Sequence, residues 1–423
     1  MSLTVFANAT VVLPDRLESA SVTINGERIV AVGATPAGSH RAIDLKGKYL
    51  APGFVDLHVH GGDGADFMDG TAEAFATVCR CHARHGTTSL TPTSTVARMS
   101  DYERFLELCE LMYLASGGRQ PPDSQCDSRG ATIALKNQGA DAPRSPTGSR
   151  IVGSHFYGPY FARPARGCHP DQDFLVPDAS NSASLMRLAG TMPFVVTVAP
   201  EIDNAEWLVR TYAERGVRFN AGHSFATFSQ MEAAVKWGVR HVDHLFCAMS
   251  DRARLRQSQT FPMRGGVMEA TLFFDELTTE VIADGKHLTP ELLRLAYKIK
   301  GPDKLALVTD SMRAVDLPDG EYWFGPEGRG EMVRKMQGVG VTLEGTALAS
   351  GVMGMDHCVR TMHRGAGVPL PETIRMASLT PARILGIEKD VGSIAAGKVA
   401  DLAVLDAELN VEQVYIEGQK VEV

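Results

Sequence analysis

Three observations predict an α/β protein built from repeated strand–helix units. The 423 residues are 44% hydrophobic and 22% charged, which is typical of a globular protein with a large core. In the middle of the chain, short apolar runs that end in polar residues alternate with longer stretches of helical periodicity. Eight such runs occur, and eight strand–helix units over roughly 250 residues or more predict a (β/α)8 TIM barrel.

Each run is a candidate barrel strand because it is short, apolar and bounded by turn or helix signals. In chain order the runs are residues 53–60, 88–93, 150–158, 194–201, 217–224, 240–246, 270–277 and 304–310. Amphipathic segments separate them. In residues 227–238, for example, Met231, Ala234 and Val235 share one helical face. Residues 116–150 are rich in Gly, Pro, Ser and Asp without a period, so they predict an irregular insertion.

The two ends of the chain predict a second, smaller domain. Residues 1–50 contain three strand-like runs parted by turn residues such as Asn25 and Gly26, and residues 390–423 contain two more. Because β-rich ends flank a different middle, we expect the termini to meet. The prediction is a small β-sandwich formed by residues 1–50 and 390–423, with the barrel in residues 51–389.

Charge and cysteine content limit the kinds of binding partner and the cellular compartment that we expect for this protein. Fifty Asp and Glu against 42 Lys and Arg give a net charge of −8 without a basic tract, which argues against nucleic acid as a partner. No apolar stretch approaches the roughly 18 residues of a membrane helix, and the start lacks a secretory signal pattern. Seven cysteines form no disulfide framework. We therefore expect a cytoplasmic protein that acts on a small molecule.

Histidines and an aspartate lie at or near the ends of four runs. His58 and His60 end the first run, His223 and His244 lie in the fifth and sixth, and Asp310 ends the eighth. A barrel's active site lies at the carboxyl ends of its strands, so these side chains converge there. In His58-x-His60 the strand period of two points both rings the same way. Imidazoles and a carboxylate predict a zinc or similar divalent metal site.

Histidines elsewhere in the sequence are interpreted as ordinary core or surface residues, because an isolated histidine carries little evidence of function. They are His40, His82, His85, His241, His357 and His363.

The motifs around the candidate ligands carry a family resemblance. They are PGFVDLHVHGGDGADFMD, GPYFARPARGCHP, AGHSFAT, HLFCAM, MRGGVMEA, IADGKHLTP and LVTDSM. Together they resemble the N-acetylglucosamine-6-phosphate deacetylase family of the amidohydrolase superfamily, over residues 5–420 apart from the insertion. The resemblance implies a metal-dependent hydrolase that removes an acetyl group from an amino-sugar phosphate. By it, His223 and His244 match a metal-binding pair, His58 and His60 match a second metal's ligands, and Asp310 matches the catalytic aspartate.

The resemblance also implies residues that hold the substrate. His169, in GCHP, matches a catalytic histidine near the scissile amide. His287, in DGKH, and Arg264, in MRGG, match phosphate-binding residues, and the arginine reaches in from a neighbouring subunit, which implies a homodimer. Cys247 and Ala248 match an Asn-Ala pair whose backbone holds the sugar phosphate.

One departure from the family pattern affects the metal. Tyr157 stands where the family has a metal-binding glutamate, and a neutral phenol is a poor ligand beside a carboxylate. We therefore favour one metal per chain, zinc before other ions, with two metals as the alternative, and expect Tyr157 to contact substrate. His244 is then free to contact substrate or move a proton. The four-ligand set expected for the single metal is His58, His60, His223 and Asp310.

Two other functions stay open at this point. The first is a different amidohydrolase, a deaminase or an N-acyl deacylase, that uses a mononuclear site centred on the His-x-His pair. Tyr157 favours it, and Cys247 and Phe225 also depart from the family's substrate motifs. The second is a descendant that binds a sugar phosphate without turning it over, which the retained His and Asp residues argue against.

Overall fold

The computed structural model describes residues 3–33, 40–116, 148–186, 192–257 and 262–422. Of the predicted insertion, 116–150, only Ser116 and residues 148–150 fall inside the described ranges; the rest lies outside the described residues.

The strands are numbered in chain order through the described residues. They are β1 (Leu3–Val12), β2 (Leu17–Asn25), β3 (Arg28–Gly33), β4 (His40–Asp44), β5 (Tyr49–Pro52), β6 (Phe54–Val59), β7 (Gly61–Gly62), β8 (Ala65–Asp66), β9 (Thr87–Pro92), β10 (Arg150–Ile151), β11 (Ser154–Phe156), β12 (Phe194–Val198), β13 (Arg218–Ala221), β14 (Val239–Val242), β15 (Thr278–Ile282), β16 (Leu305–Val308), β17 (Gly320–Phe324), β18 (Glu331–Met336), β19 (Val339–Thr342), β20 (Leu402–Leu405), β21 (Val411–Ile416) and β22 (Gln419–Val421).

The α-helices are numbered in the same way. They are α1 (Ala72–Arg84), α2 (Met99–Ala115), α3 (Ala179–Met186), α4 (Ala205–Ala213), α5 (Phe228–Trp237), α6 (Arg252–Arg256), α7 (Val267–Phe273), α8 (Pro290–Lys300), α9 (Met355–Arg360), α10 (Leu370–Ala377) and α11 (Leu379–Leu385). Single 3-10 turns occupy Phe67–Asp69 and Arg163–Ala165, and a π turn occupies Thr361–Gly365.

Both ends of the chain contribute to one eight-stranded sheet. Its order is β22-β21-β20-β5-β1-β2-β3, with β4 paired to β1. The antiparallel pair of β20 with β5 joins the carboxyl-terminal strands to the amino-terminal ones. An apolar cluster drawn from both ends, including Phe6, Leu50 and Leu402, packs against this sheet. Loss of either end therefore exposes apolar surface of the other.

Eight parallel strands follow one another in chain order around a ring. Strand β6 pairs with β9, and β11 to β16 pair successively in one sheet. Two parallel bridges link these sheets: Thr93 with His155 joins the second strand to the third, and Val59 with Ser311 joins the first to the eighth. We call these strands, β6, β9 and β11 to β16, the ring. Helices follow most of its strands and pack with them in one large apolar cluster.

Seven of the eight predicted runs overlap a ring strand, but the prediction for the seventh strand is wrong. Residues 270–277 contain the end of α7 and a turn, and the strand is β15, Thr278–Ile282. Helix α7 begins after the N-cap residue Gly266, whose backbone N–H donates to the carboxylate of Glu269. The apolar run ATLFF therefore completes an amphipathic helix, and the shorter alternating segment TTEVI forms the strand.

Candidate metal centre and active site

A cavity of about 620 Å³ opens at the carboxyl end of the ring. Most of the residues expected at the site line it, while His58 lies completely buried next to them. Arg264 is exposed and is not among the lining residues of its own chain. The predicted site residues that line the cavity are His60, Tyr157, His169, His223, His244, Cys247, Ala248, His287 and Asp310.

Three site residues share an unusual backbone conformation. His223, His244 and Asp310 each stand two residues beyond a ring strand, after β13, β14 and β16 respectively. All three have a positive φ, at 45°, 23° and 44°. Non-glycine residues rarely adopt this conformation, and it concentrates at functional sites where the surrounding structure enforces it. The turn ends each strand sharply and places the side chain at the cavity.

His58, His60 and Asp310 form a compact group of potential metal ligands. Their nearest ligand atoms lie within 4.8 Å of one another. Oδ1 of Asp310 is 3.2 Å from Nε2 of His60 and 3.5 Å from Nε2 of His58. Among the described residues, no group of three or more potential ligands that includes His223 or His244 is as compact. The structure therefore brings together three of the four expected ligands, and His223 stands apart from them.

The hydrogen bonds of three histidines leave the same nitrogen available. Nδ1 of His58 contacts Glu280 at 2.7 Å, Nδ1 of His60 contacts the carbonyl of Thr93 at 3.2 Å, and Nδ1 of His223 contacts the carbonyl of Ala165 at 2.8 Å. Nε2 of His58 is buried, and none of the described residues forms a hydrogen bond with it. Metal-bound histidines are usually anchored through the nitrogen that does not bind the ion. The donor set and the unsatisfied nitrogen fit a divalent metal.

His244 is engaged differently. Its Nε2 lies 2.7 Å from the hydroxyl of Tyr157, and its buried Nδ1 has no hydrogen-bond partner within the described parts of the chain. The Tyr157 ring also lies between neighbouring imidazoles, with its centroid 4.6 Å from that of His58 and 5.3 Å from that of His223. The phenol thus occupies the space between the two histidine pairs.

Aromatic rings fix the wall of the cavity near His169. Phe161 stacks on His223 with ring centroids 4.2 Å apart and planes 9° apart. His169 packs edge-on against both rings, and its Nδ1 accepts a hydrogen bond from the backbone N–H of Val96. Its Nε2 is therefore the nitrogen left for a ligand in the cavity.

Burial and mutual charge shift the pKa values of the ligand group. Burial disfavours the charged form of His58, but the Asp310 and Glu280 carboxylates outweigh it and raise its pKa to about 10. Burial raises the pKa of Asp310, but His58 and His60 dominate and hold it well below the usual range. Burial lowers the pKa of His244 to about 4. Asp310 is therefore an ionised carboxylate at neutral pH beside a neutral His244.

The lining of the cavity also carries cationic groups from this chain. Nδ1 of His287 lies 2.7 Å from Asp284, which raises the pKa of His287 although burial opposes it. The Arg254 guanidinium lies over the ring of Phe225, 4.1 Å from its centroid, and both residues line the cavity. These cations could bind an anionic group of a ligand.

Sequence reasoning missed Glu280 and dismissed His241. The predicted seventh strand, residues 270–277, ends before Glu280, because it begins eight residues before the strand in the structure. The alternation in Thr278–Ile282 was the available signal for a strand that turns a carboxylate inward. Nε2 of His241, interpreted as an ordinary core residue, lies 3.2 Å from that carboxylate.

Comparison with known proteins places this site in a family. The model of the amidohydrolase family matches residues 49–421. The chain belongs to the amidohydrolase family. It is 31% identical to an N-acetylgalactosamine-6-phosphate deacetylase of Escherichia coli O157:H7 over 88% of this chain and 87% of the relative. It is also 31% identical to an N-acetylglucosamine-6-phosphate deacetylase of Danio rerio, over 90% and 86% of the two chains.

Solved structures of family members superpose on the whole chain. N-acetylglucosamine-6-phosphate deacetylase from Pasteurella multocida gives a TM-score of 0.83 at 25% identity and covers 100% of both chains. The enzyme from Mycobacterium smegmatis gives 0.81 at 29% identity, again over 100% of both chains. This amidohydrolase family member is accordingly a hydrolase related to deacetylases. None of the helices in the described ranges has the length and apolar character required to cross a membrane.

Proposed function

We propose that this amidohydrolase removes the acetyl group from an N-acetylated amino-sugar 6-phosphate, giving acetate and the free amine. One observation carries the proposal: His58, His60 and Asp310 form a compact ligand group at a cavity that is also lined by His287 and Arg254. The names of the relatives support both N-acetylglucosamine 6-phosphate and its galactosamine isomer as the sugar.

The architecture we propose is a (β/α)8 TIM barrel with a β-sandwich formed by both termini. The ring strands follow one another in chain order and a bridge joins the first to the eighth, which supports the barrel. The pairing of β20 with β5 supports a terminal domain of residues 1–50 and 390–423. The three-stranded antiparallel sheet β17-β18-β19 is an addition within the barrel region, residues 51–389.

A single divalent ion, zinc by preference, is held in this proposal by His58, His60 and Asp310, with His223 as the fourth ligand. When bound, the ion supplies Lewis-acid polarisation of the amide carbonyl and an activated water. Two ions per chain are the alternative, but Tyr157 contributes a neutral phenol at the position that would need a carboxylate.

The chain's own side chains move and place protons around the amide. The ionised Asp310 carboxylate accepts a proton from the attacking water and returns it to the leaving amine nitrogen. His169 presents Nε2 to the carbonyl side of the substrate, because its Nδ1 is fixed by Val96. Tyr157 and His244 form a hydrogen-bonded pair that can contact the acetyl group or the sugar.

The phosphate is proposed to lie at the outer end of the cavity. His287, Arg254, Cys247 and Ala248 all line the cavity, and the backbone at Ala248 is left-handed, with φ 49°. A phosphate is bound best by charge-assisted hydrogen bonds from such cations. Arg264, which is exposed, is proposed to serve the cavity of a second copy.

A homodimer is therefore part of the proposal. Apolar side chains near Arg264 support a contact surface: Met263 is 60% exposed and Phe273 is 69% exposed, and Phe273 packs on Phe228 and Phe274. Large exposed apolar groups that cluster in this way mark interaction sites.

We also propose a cytoplasmic location, supported by six unpaired cysteines among the described residues.

The test is acetate release from both sugar phosphates by protein of measured metal content, with Asp310→Asn as the matched inactive control. Acetate formation that follows metal content and disappears in the variant supports the proposal. Ammonia release from amino-heterocycles without acetate release would favour the alternative, a deaminase or other deacylase with a mononuclear His-x-His site. Tight binding of the sugar phosphate without either product would favour a non-catalytic binding protein.

A further inference from the structure

A buried chain of hydrogen bonds lies directly beneath the metal ligands. Nδ1 of His58 lies 2.7 Å from Oε1 of Glu280, and Oε2 of Glu280 lies 3.2 Å from Nε2 of His241. Nδ1 of His241 in turn lies 2.8 Å from the hydroxyl of Thr278. The chain links the ligand on the first ring strand to the sixth and seventh strands.

Glu280 stands between the two openings of the ring. On its own strand, Ile282 lines the 620 Å³ cavity, whereas Thr278 lines a separate cavity of about 520 Å³, together with His241. Glu280 lines neither cavity and is only 1% exposed. Its carboxylate is therefore placed to contact protein groups rather than substrate.

The carboxylate of Glu280 contacts three groups of the site at once. Besides His58 and His241, it accepts a hydrogen bond from the backbone N–H of His244 at 3.3 Å. A buried carboxylate is costly unless it is fully hydrogen-bonded, so the arrangement holds all partners in one geometry. The Glu280 carboxylate thus fixes the ring of His58, which faces the metal site. It also fixes the strained turn that carries His244, whose φ is 23°.

We propose that Glu280 is a positioning residue of the metal centre, which holds Nε2 of His58 toward the ion and anchors the turn at His244. The inference rests on the proposed metal site. A carboxylate on the far nitrogen fixes the tautomer and orientation of a metal-binding imidazole and makes its ligand nitrogen more basic. Without that contact, the His58 ring loses the interaction that sets its orientation.

Asp243 offers a matched control for charge and burial. It is completely buried, and its oxygens accept hydrogen bonds from Thr197 at 2.6 Å and Asn220 at 2.7 Å rather than from a metal ligand. In Asp243→Asn, the amide oxygen still accepts from Asn220. Its amide nitrogen donates to the Thr197 hydroxyl, which can turn toward His155. The variant therefore removes a negative charge near His58 but no contact to it.

The experiment measures cobalt binding to metal-free protein, by competition with a chromophoric chelator and by the visible ligand-field spectrum. Relative to wild type, we expect the dissociation constant to rise about 10-fold in Glu280→Gln, which keeps an acceptor without the charge, and about 100-fold in Glu280→Met. Both variants should shift the cobalt spectrum, because the geometry at His58 changes. Asp243→Asn should keep the wild-type spectrum and an affinity within about threefold.

Thermal unfolding of each metal-free protein separates a folding defect from lost positioning. If Glu280→Met does not fold, Glu280→Gln decides alone. Wild-type affinity and spectrum in a folded Glu280 variant, or an equal loss in Asp243→Asn, overturns the inference. Failure of wild-type protein to bind cobalt would instead overturn the proposed metal site itself, so the two failures are distinguishable.

Discussion

The hydroxyl of Tyr157 lies 2.7 Å from Nε2 of His244, and this contact occupies the imidazole nitrogen that would otherwise be available to a metal. The phenol also stands within ring-contact distance of His58 and His223. The candidate ligands are thereby divided. His58, His60 and Asp310 stay available as a group, while His244 is bound to a protein side chain.

Replacement of this phenol by a carboxylate should create a second metal site. We expect Tyr157→Glu to raise the bound zinc from about one to about two equivalents per chain, because a carboxylate beside His223 and His244 completes a set of ligands. Plasma mass spectrometry of protein dialysed against zinc provides the measurement. Tyr157→Phe, which removes only the hydroxyl, should stay near one equivalent. A single equivalent in a folded Tyr157→Glu protein would contradict the interpretation.

The two histidine pairs should differ in their effect on metal content. We expect His58→Ala to reduce bound metal below about a tenth of the wild-type amount, because it removes one of three compact ligands. His244→Ala should retain at least about half, since that ring is engaged by Tyr157. Metal analysis after equilibration with zinc tests both. Full metal content in His58→Ala would remove the His-x-His pair as the centre of the site.

The cationic side chains that line the cavity should affect the KM of phosphorylated substrates selectively. We expect Arg254→Gln to raise the KM for N-acetylglucosamine 6-phosphate at least about tenfold, because a charge-assisted hydrogen bond contributes roughly 1.5–3 kcal/mol. The kcat/KM for unphosphorylated N-acetylglucosamine should not change. Arg163→Gln serves as the control, because this exposed arginine pairs with Asp171 and does not line the cavity. Equal effects on both sugars would exclude a phosphate contact.

The same assay tests the role of Arg264. We expect Arg264→Gln to raise the KM for the sugar phosphate only if a second copy supplies the residue. Mixing this variant with Asp310→Asn protein should therefore restore some activity, since a mixed dimer contains one intact site. Sedimentation measures the dimer in parallel, and a fully active monomer would remove this role.

Stability should fall in alkaline solution because of His85. Burial opposes its charge, but Asp316 and Asp356 raise its pKa to about 9 from 6.5. The raised value means that the stabilisation, roughly 2–3 kcal/mol, is complete below about pH 6.5 and is lost as the pH rises through about 9. Urea unfolding of wild type and His85→Gln across this range gives the difference. His363→Gln is the control, because the ring of His363 is hydrogen-bonded to the Val368 carbonyl rather than to a carboxylate.

A buried ion pair should couple the terminal sheet to β10, the short strand that pairs with β9 of the ring. Asp401, 4% exposed, pairs with Arg150 of β10 and accepts from the backbone N–H of Glu417. We expect Asp401→Asn to lower the free energy of unfolding by about 3 kcal/mol, because it removes the nearer of the two carboxylates that pair with the buried Arg150 and leaves only Glu417, at 3.4 Å. Glu206→Gln, which breaks an exposed pair with Arg210, should cost less than about 1 kcal/mol. Similar losses in both variants would contradict the coupling.

Much of the architecture could be read from local pattern. The alternation of short apolar runs with helical segments is a property of neighbouring residues, and seven ring strands overlap their predicted runs. The seventh failed because ATLFF is equally apolar in a helix and in a strand, and only the cap at Gly266 and Glu269 decides between them. The orientation of His58 and His60 also follows from local pattern, since the strand period of two places both rings on one face.

The sequence by itself therefore determined the α/β class, the candidate ligand residues and the strand ends at which they stand. Only the tertiary structure decided which of them meet. Tyr157 and His244 are 87 residues apart, and His58 and Glu280 are 222 apart, so no periodicity relates them. Their contacts follow from the order in which the strands close the ring, because closure brings distant segments side by side within hydrogen-bond distance.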